Sequence, residues 1–158
     1  MKKKKILLIG SNGFIGKKLN SYLKKFYSVH KLNRNVIKEN QKNILCDITK
    51  INKLKRKLAS QPKFDYVINL SGQVDNSKSI MYSNIYNANQ NIIKYFSNTC
   101  SVIIFFSSTL VYGHSSNYVN TKSRTIPISY YAKIKLKTEK LYKKKSKDYL
   151  IFRVGNVY

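Results

Sequence analysis

The sequence has few acidic residues, few cysteines and no long apolar run. Six aspartates and glutamates stand against 31 lysines and arginines in 158 residues, which gives a net charge of +25. The two cysteines, Cys46 and Cys100, lie at a spacing that suits neither zinc nor a redox motif, so we expect reduced thiols in a cytoplasmic protein and no metal site. No apolar run approaches the roughly 18 to 20 residues of a membrane span, and the run after residues 2–5 is too short for a signal peptide.

The excess of positive charge raises the hypothesis of a nucleic-acid partner. The lysines are scattered along the whole chain, however, and the densest runs, at residues 2–5 and 143–145, lie at the ends of predicted elements. Solvated charge is expected at such positions. We therefore interpret the charge as a general background that favours the approach of anionic ligands, and specific nucleic-acid binding as the less favoured alternative.

The most informative segment is a short apolar run that leads directly into three glycines. Residues 6–9 predict a buried strand, and Gly10, Gly13 and Gly16 follow it at a spacing of three. Gly10 lets the chain turn sharply, Gly13 lets a phosphate approach the backbone, and Gly16 lets the next helix pack closely. The pattern predicts a pyrophosphate site at a helix N-terminus, to which Asn12, Phe14 and Ile15 also belong.

Strand and helix patterns alternate along the rest of the chain. The sequence predicts strands at residues 28–32, 43–46, 66–70, 102–106 and 149–154, and helices at residues 51–58, 84–97 and 131–144. The strands are continuously apolar, which is typical of a parallel sheet covered by helices on both faces. Because crossovers between parallel strands are right-handed, we predict one α/β domain over residues 1–158 with a doubly wound parallel sheet. Its ligands should lie beyond the carboxyl ends of the strands.

Polar residues at those strand ends suit a dinucleotide. Asn33 and Arg34 follow the second strand, where an enzyme selective for NAD usually has an acidic residue for the ribose hydroxyls. A guanidinium binds phosphate through paired charge-assisted bonds, which favours NADP over NAD, unless Arg34 is simply one more solvated cation. Asp47, after the third strand, could accept from the adenine amino group or merely cap the helix that begins near Thr49.

A tyrosine and a lysine share one face of a later predicted helix. Tyr131 and Lys135 are four residues apart, and Ser108 follows the fifth predicted strand. A lysine beside a phenol favours the phenolate, so we expect the pKa of Tyr131 to fall towards the range of a general base. Ser108 could hydrogen-bond the substrate oxygen. The pair alone is weak support in a chain so rich in tyrosine and lysine, and it gains weight from its place among the strand ends.

Together these motifs resemble the extended short-chain dehydrogenase/reductases of the NAD-dependent epimerase/dehydratase type, which act on nucleotide sugars. The matching pieces run through nearly the whole chain: Gly10-x-x-Gly13-x-x-Gly16, Asp47-Ile48, residues 65–72, Ser107-Ser108-x-x-Val111-Tyr112-Gly113, Tyr131-x-x-x-Lys135 with Glu139, and Arg153-x-x-Asn156-Val157-Tyr158. The resemblance implies a Rossmann fold, NAD or NADP as the cofactor and a nucleotide-sugar substrate, and it is compatible with a homodimer.

The resemblance also implies a catalytic set. Ser108, Tyr131 and Lys135 would form it, with Tyr131 exchanging the hydroxyl proton and Lys135 binding the nicotinamide ribose. Dehydratases of this kind place acidic residues directly after the serine or threonine of the fifth strand. This chain has Thr109 and Leu110 there, so we expect 4-epimerisation or ketoreduction at a sugar carbon rather than dehydration.

Further binding residues follow from the same resemblance. Leu70, Ser71 and Gly72 would line the cofactor together with Ile48, and Asn156 would approach the bound cofactor or sugar. The Asn-x-x-Gly-Thr pattern of the family is blurred over residues 84–89, which leaves its asparagine unassigned.

The sequence ends at Tyr158, where the family continues into a substrate-binding region. We therefore expect a truncated chain that does not turn over sugar on its own, because the substrate would lack positioning and exclusion of water. The alternatives are a non-catalytic chain that only binds the dinucleotide and a basic, nucleotide-binding partner protein.

Overall fold

A six-stranded sheet forms the centre of the computed structural model, which describes residues 3–35, 38–72, 74–99, 102–114 and 118–157. Cys100 and Tyr158 lie outside the described residues. The strands are β1 Lys5–Ile9, β2 Ser28–Asn33, β3 Asn43–Leu45, β4 Tyr66–Asn69, β5 Val102–Ser108 and β6 Tyr149–Val154. Their spatial order is β3-β2-β1-β4-β5-β6, and neighbouring strands all pair in parallel. The predicted doubly wound parallel sheet is thereby confirmed.

The point where the strand order reverses lies between β1 and β4. Ile9 is level with Leu32 of β2 and with Asn69 of β4, so these three strands end at the same edge of the sheet. The chain leaves β1 and β4 in opposite directions, which opens a crevice at their carboxyl ends.

Helices connect the strands in the described part of the chain. They are α1 Phe14–Leu23, α2 Ile51–Leu58, α3 Lys78–Tyr82, α4 Ala88–Phe96 and α5 Tyr130–Lys145. A π-helical segment, Ser83–Asn87, joins α3 to α4, and a 3-10 turn, Thr109–Tyr112, follows β5. The predicted elements at residues 51–58 and 149–154 coincide with α2 and β6. The helix predicted at residues 84–97 begins earlier, at Lys78, because the Ser77 hydroxyl caps it by accepting the Ile80 N–H.

The two faces of the sheet are covered unequally. On one face α2, α4 and α5 bury a large apolar core, and on the other α1 packs against a smaller cluster around Ile6 and Leu8. Beyond α1, the side chains of Leu150 and Phe152 on β6 remain 50% and 48% exposed. Helices therefore lie over both faces, as predicted, but among the described residues none covers the second face beside β5 and β6. No helix among the described residues is long and apolar enough to cross a membrane.

Candidate active site

A cleft of about 350 Å³ opens at the carboxyl edge of β1, β2 and β4. The loops that follow β1, β2, β3 and β4 form its walls. Most of the predicted cofactor residues line it, namely Gly10, Asn12, Gly13, Asn33, Arg34, Asp47, Ile48, Leu70, Ser71 and Gly72. The sequence pattern and the fold thus bring residues from four separate loops to one site.

The glycine turn places the N-terminus of α1 at this cleft. Gly10 adopts a φ of 81°, a left-handed conformation that favours glycine. No side chain caps α1 at Gly13 and no acidic residue lies in its first turn, and the first helical bond runs from the Lys17 N–H to the Gly13 oxygen at 2.9 Å. The first amides of α1 therefore have no helical acceptor, and with the helix dipole they make this end suitable for an anion.

Three predicted residues of the glycine segment do not line the cleft. Phe14 is largely exposed and Ile15 is partly buried, so only their backbone amides belong to the helix terminus. Gly16 is buried, and a Cβ there would lie 2.3 Å from the Gly10 oxygen. Gly16 thus allows α1 to pack against the turn, as its spacing predicted.

Asn33 holds the glycine turn in place. Its Oδ1 accepts the Asn12 backbone N–H at 3.2 Å, and its Nδ2 donates to Ser11 Oγ at 2.9 Å. The Asn12 side chain in turn donates to the Asn35 carbonyl at 2.8 Å. Asn33 is buried, whereas Arg34 beside it is exposed and lines the cleft. The sequence predicted both positions but not the use of the Asn33 amide, which depends on contacts over more than 20 residues of chain.

Asp47 closes the turn before α2. Its Oδ1 accepts the backbone N–H and the hydroxyl of Thr49, at 2.9 and 2.8 Å. The N-cap of α2 is Lys50. Asp47 therefore stabilises the turn before the helix and is not its N-cap. Asn91 of α4 donates to the carbonyls of Ile48 and Thr49 at 2.9 and 3.0 Å and so fixes this wall of the cleft. Sequence reasoning missed Asn91, whose signal is an amide amid the apolar residues of α4.

A buried hydrogen-bond chain supports the wall after β4. Both the N–H and the hydroxyl of Ser71 donate to Asn69 Oδ1, at 3.0 and 2.6 Å. Asn69 Nδ2 and the Tyr142 hydroxyl both donate to Asn89 Oδ1, at 2.8 and 2.6 Å, while Asn89 Nδ2 donates to the Ile85 carbonyl. The chain of bonds joins the cleft wall to α4 and α5, and it uses both the oxygen and the nitrogen of the Asn89 amide.

A π-helical segment, Ser83–Asn87, covers most of the residues over which the family pattern is blurred. A π turn inserts an extra residue, which shifts the helix face before it relative to the face after it. Asn84, inside this segment, lines the cleft together with Gly72. The sequence left the asparagine of the family pattern unassigned because residues 84–89 contain no Gly-Thr that would fix its position.

The predicted catalytic residues lie on β5 and α5, two elements that contact each other, and outside the residues that line the cleft. Ser108 ends β5, and its Oγ accepts the Leu110 N–H at 3.2 Å. Tyr131 and Lys135 occupy the first turns of α5, which the Ser129 hydroxyl caps by accepting the Ala132 N–H. Lys135 Nζ lies 5.4 Å from the centre of the Tyr131 ring and donates to the Phe106 carbonyl at 2.8 Å.

The electrostatics of this pair differ from the expectation. Burial raises the pKa of Tyr131 above its ordinary value, so the predicted lowering by Lys135 is not found. The reason is that the Lys135 ammonium lies against the ring face and the Phe106 carbonyl. Burial also lowers the pKa of Lys135 to about 8, although the Glu139 carboxylate opposes this shift.

Glu139 and Arg153, which the family motifs contain, form a bidentate ion pair. Arg153 Nη2 donates to Glu139 Oε2 at 2.7 Å, Arg153 Nε to Oε1 at 3.0 Å, and the Ser107 hydroxyl to Oε1 at 2.6 Å. Asn156 is exposed just beyond the end of β6. Among the described residues, no group of three or more histidine, cysteine, aspartate or glutamate side chains could hold a metal.

Comparisons with solved structures support the fold. A dTDP-4-dehydrorhamnose reductase from Bacillus anthracis in complex with NADP superimposes with a TM-score of 0.85 at 19% identity, over 100% of this chain and 55% of that chain. A UDP-glucuronic acid 4-epimerase from Bacillus cereus in complex with NAD gives 0.77 at 24% identity, over 98% and 57%. A UDP-N-acetylglucosamine 4-epimerase from Methanobrevibacter ruminantium gives 0.77 at 22% identity, over 97% and 55%.

The chain thus spans about half the length of these structures. No curated protein matches the sequence. A family profile does match, over residues 6–158, and that range contains the glycine turn, the strand ends and the Tyr131–Lys135 pair. On this match, the chain belongs to the NAD dependent epimerase/dehydratase family.

Proposed function

We propose that this chain binds NADP or NAD in the cleft and serves a nucleotide-sugar epimerase or ketoreductase that transfers hydride at a sugar carbon. The observation that carries the proposal is the uncapped N-terminus of α1 facing a cleft at the point where the strand order reverses. The first N–H groups of α1 have no acceptor within the helix. A pyrophosphate would supply acceptor oxygens, and its negative charge is favoured by the helix dipole. The solved reductase and epimerase above, bound to NADP and NAD, support the same cofactor class.

The remaining walls suit the rest of a dinucleotide. Arg34, exposed at the end of β2, would contact the ribose nearest the adenine, and Asp47 and Ile48 would flank the adenine ring. Ser71 and Gly72 would line the other half. Because Asn33 is neutral and turned towards Ser11, Arg34 is the residue left to recognise this ribose, which favours the 2′-phosphate of NADP.

The chemistry at the sugar would depend on Ser108, Tyr131 and Lys135. When bound, the nicotinamide supplies the hydride acceptor or donor. The Tyr131 hydroxyl would then accept or return the proton of the reacting hydroxyl, and Ser108 would hold that oxygen. Tyr131 is protonated at neutral pH in this structure, so proton donation needs no prior ionisation, whereas proton removal requires Lys135 to turn towards the hydroxyl and ribose.

The residues after Ser108 favour epimerisation or ketoreduction. Thr109 and Leu110 occupy the 3-10 turn at this position, and neither carries an acidic group to protonate a leaving hydroxyl. Loss of water from the sugar would need such a group. The homodimer with which the resemblance is compatible stays a possibility to be tested, and the absence of a specific nucleic-acid partner stays a prediction.

Calorimetric titration of the purified chain with NADP and with NAD tests the cofactor. We expect NADP to bind more tightly, and Arg34→Ala to weaken NADP selectively. Arg56→Ala, an exposed arginine of α2 outside the cleft, is the matched control for loss of charge and should change neither affinity. Equal affinities in the wild type, or equal losses in both variants, would contradict the NADP preference.

A second assay addresses the reaction. Nucleotide sugars and NADP or NAD are incubated with the chain and with Tyr131→Phe, and absorbance and product are followed. Turnover that Tyr131→Phe abolishes without a change in dinucleotide affinity supports the enzyme. Dinucleotide binding without turnover is the result that the sequence predicts for this chain on its own, and turnover would overturn that prediction. A 4-keto-6-deoxy product would overturn the preference against dehydration.

A further inference from the structure

Two opposite charges lie one helical turn apart inside the protein and yet do not pair. Lys135 and Glu139 are four residues apart on α5 and are only 4% and 1% exposed. Side chains at this spacing face each other, and buried opposite charges ordinarily pair. Among the described residues the Glu139 carboxylate instead binds Arg153 and Ser107, and the Lys135 ammonium binds the Phe106 carbonyl.

The Glu139 carboxylate binds Arg153 rather than Lys135 because the guanidinium has the better geometry. Its planar fork reaches both oxygens of the Glu139 carboxylate, at 3.0 and 2.7 Å, which a single ammonium does less well. The guanidinium also lies 4.7 Å from the centre of the Tyr112 ring, in the 3-10 turn that Ser108 begins. Hydrogen bonding to Glu139 raises the pKa of Arg153 further, so the guanidinium stays charged.

We propose that Arg153 is a positioning residue for Lys135: by holding the Glu139 carboxylate, it keeps the Lys135 ammonium at the carboxyl edge of the sheet, beside Tyr131. Without Arg153, the unpaired buried carboxylate would draw Lys135 away from the Phe106 carbonyl into an ion pair along α5. The role of Lys135 towards a ribose or Tyr131 rests on the proposed function. The effect of Arg153 on the pairing of Lys135 with Glu139 does not depend on that function.

Few groups besides Glu139 face Lys135. From α5 the neighbouring titratable group is Tyr131, and from β5 there are the Phe105 ring, 5.0 Å from Nζ, and the Phe106 carbonyl. The π-helical segment brings Tyr86 to the Tyr131 side. Arg153 of β6 and Tyr112 of the 3-10 turn lie behind Glu139. A change in the titration of Lys135 therefore reports on Glu139 and its partner.

The test follows the Lys135 side chain by NMR in protein with ¹³C-labelled lysine, with Lys135→Met identifying its signal. The pKa of Lys135 is measured in the wild type, Arg153→Gln, Glu139→Gln and the double variant. We expect Arg153→Gln to move it upward by about 1 pH unit and Glu139→Gln to move it downward. In a chain that already carries Glu139→Gln, Arg153→Gln should have little further effect, because there is no carboxylate left to release.

Other results overturn the inference. If Arg153→Gln leaves the titration unchanged, or shifts it equally in the presence and in the absence of the Glu139 carboxylate, then Arg153 acts only as a structural or distant charge. Should Arg153→Gln fail to fold, Arg153→Lys retains a cation without the fork and should shift Lys135 in the same direction, and a shift opposite to this would be equally fatal.

The proposed function is judged separately, by dinucleotide titration of the same proteins. If the wild type binds neither NADP nor NAD, the proposed function fails while the NMR result still decides the role of Arg153. If the dinucleotide binds and the Lys135 titration ignores Arg153, the inference fails and the function stands. If both hold, Arg153→Gln weakens the dinucleotide several-fold and the double variant does so less.

Discussion

Lys135 Nζ donates to the backbone carbonyl of Phe106 at 2.8 Å, inside a protein that leaves only 4% of this lysine exposed. A carbonyl is a partial charge, so the bond does not replace the hydration that a full ammonium loses. Burying the charged Lys135 ammonium therefore lowers the free energy of unfolding, and the size of this effect depends on pH.

We predict that Lys135→Met stabilises the chain at pH 7 by up to about 3 kcal/mol, since the pKa of Lys135 falls from 10.5 to about 8 on folding. The unfolded chain binds more protons between pH 8 and 10.5, so the wild type gains stability relative to the variant as the pH rises through that window. Urea unfolding at pH 7 and at pH 10 checks this. Lys133→Met, an exposed lysine of the same helix, should show no such trend, and a constant difference for Lys135→Met would refute the prediction.

Two glycines of one motif should respond to alanine in different ways. A Cβ at Gly13 would meet only the Gly10 oxygen at 3.5 Å, whereas at Gly16 it would lie 2.3 Å from that oxygen and 2.7 Å from Ser11 Cα. We expect Gly13→Ala to keep the stability and lose dinucleotide affinity at least about tenfold, because a methyl group blocks the phosphate. Gly16→Ala should lower the free energy of unfolding by more than about 1 kcal/mol, because the added methyl group overpacks the turn.

Thermal unfolding and calorimetry on the two glycine variants decide the matter. If Gly13→Ala binds the dinucleotide like the wild type, then the pyrophosphate does not lie on this turn.

Asn33→Asp should move the cofactor preference towards NAD. The carboxylate can still accept the Asn12 N–H and can accept the Ser11 hydroxyl, so both contacts of Asn33 survive. The new charge repels a 2′-phosphate and partly neutralises Arg34, and we expect the ratio of NADP to NAD affinity to fall about tenfold. Asn52→Asp, the same change on exposed α2, is the control, and a ratio unchanged in Asn33→Asp would contradict the assignment of this wall.

Removing the buried amide of Asn89 should lower the free energy of unfolding more than removing the Tyr142 hydroxyl that donates to it. Asn89→Leu leaves Asn69 Nδ2 and the Tyr142 hydroxyl without their acceptor, while the Ile85 carbonyl keeps the Ala88 N–H. We expect a loss of about 3 kcal/mol or more in the free energy of unfolding. Tyr142→Phe removes one of two donors to the same oxygen and should cost about 1 kcal/mol. Urea unfolding measures both, and a larger loss in Tyr142→Phe would mean that the hydrogen-bond chain is not the main support.

The sequence alone predicted most elements because their signals are local. The apolar run at residues 6–9 with glycines at fixed spacing requires a strand, a turn and a helix, and α2 and β6 coincide with the predicted segments. The π-helical segment was not predictable, because nothing in residues 83–87 distinguishes an inserted residue from an ordinary helix until Asn89 and Gly72 pack against it.

The candidate site divides in the same way. Residue type and order along the chain were enough to place Gly10, Gly13 and Arg34 at one cleft, because parallel strands all end at the same edge of the sheet. Only the tertiary structure decided three other features. These are the orientation of the Asn33 amide, the rise in the pKa of Tyr131, and the binding of Glu139 to Arg153 rather than to Lys135. Each depends on burial and on partners distant in the chain, and the free energy of a buried polar group is set by those surroundings rather than by its neighbours in sequence.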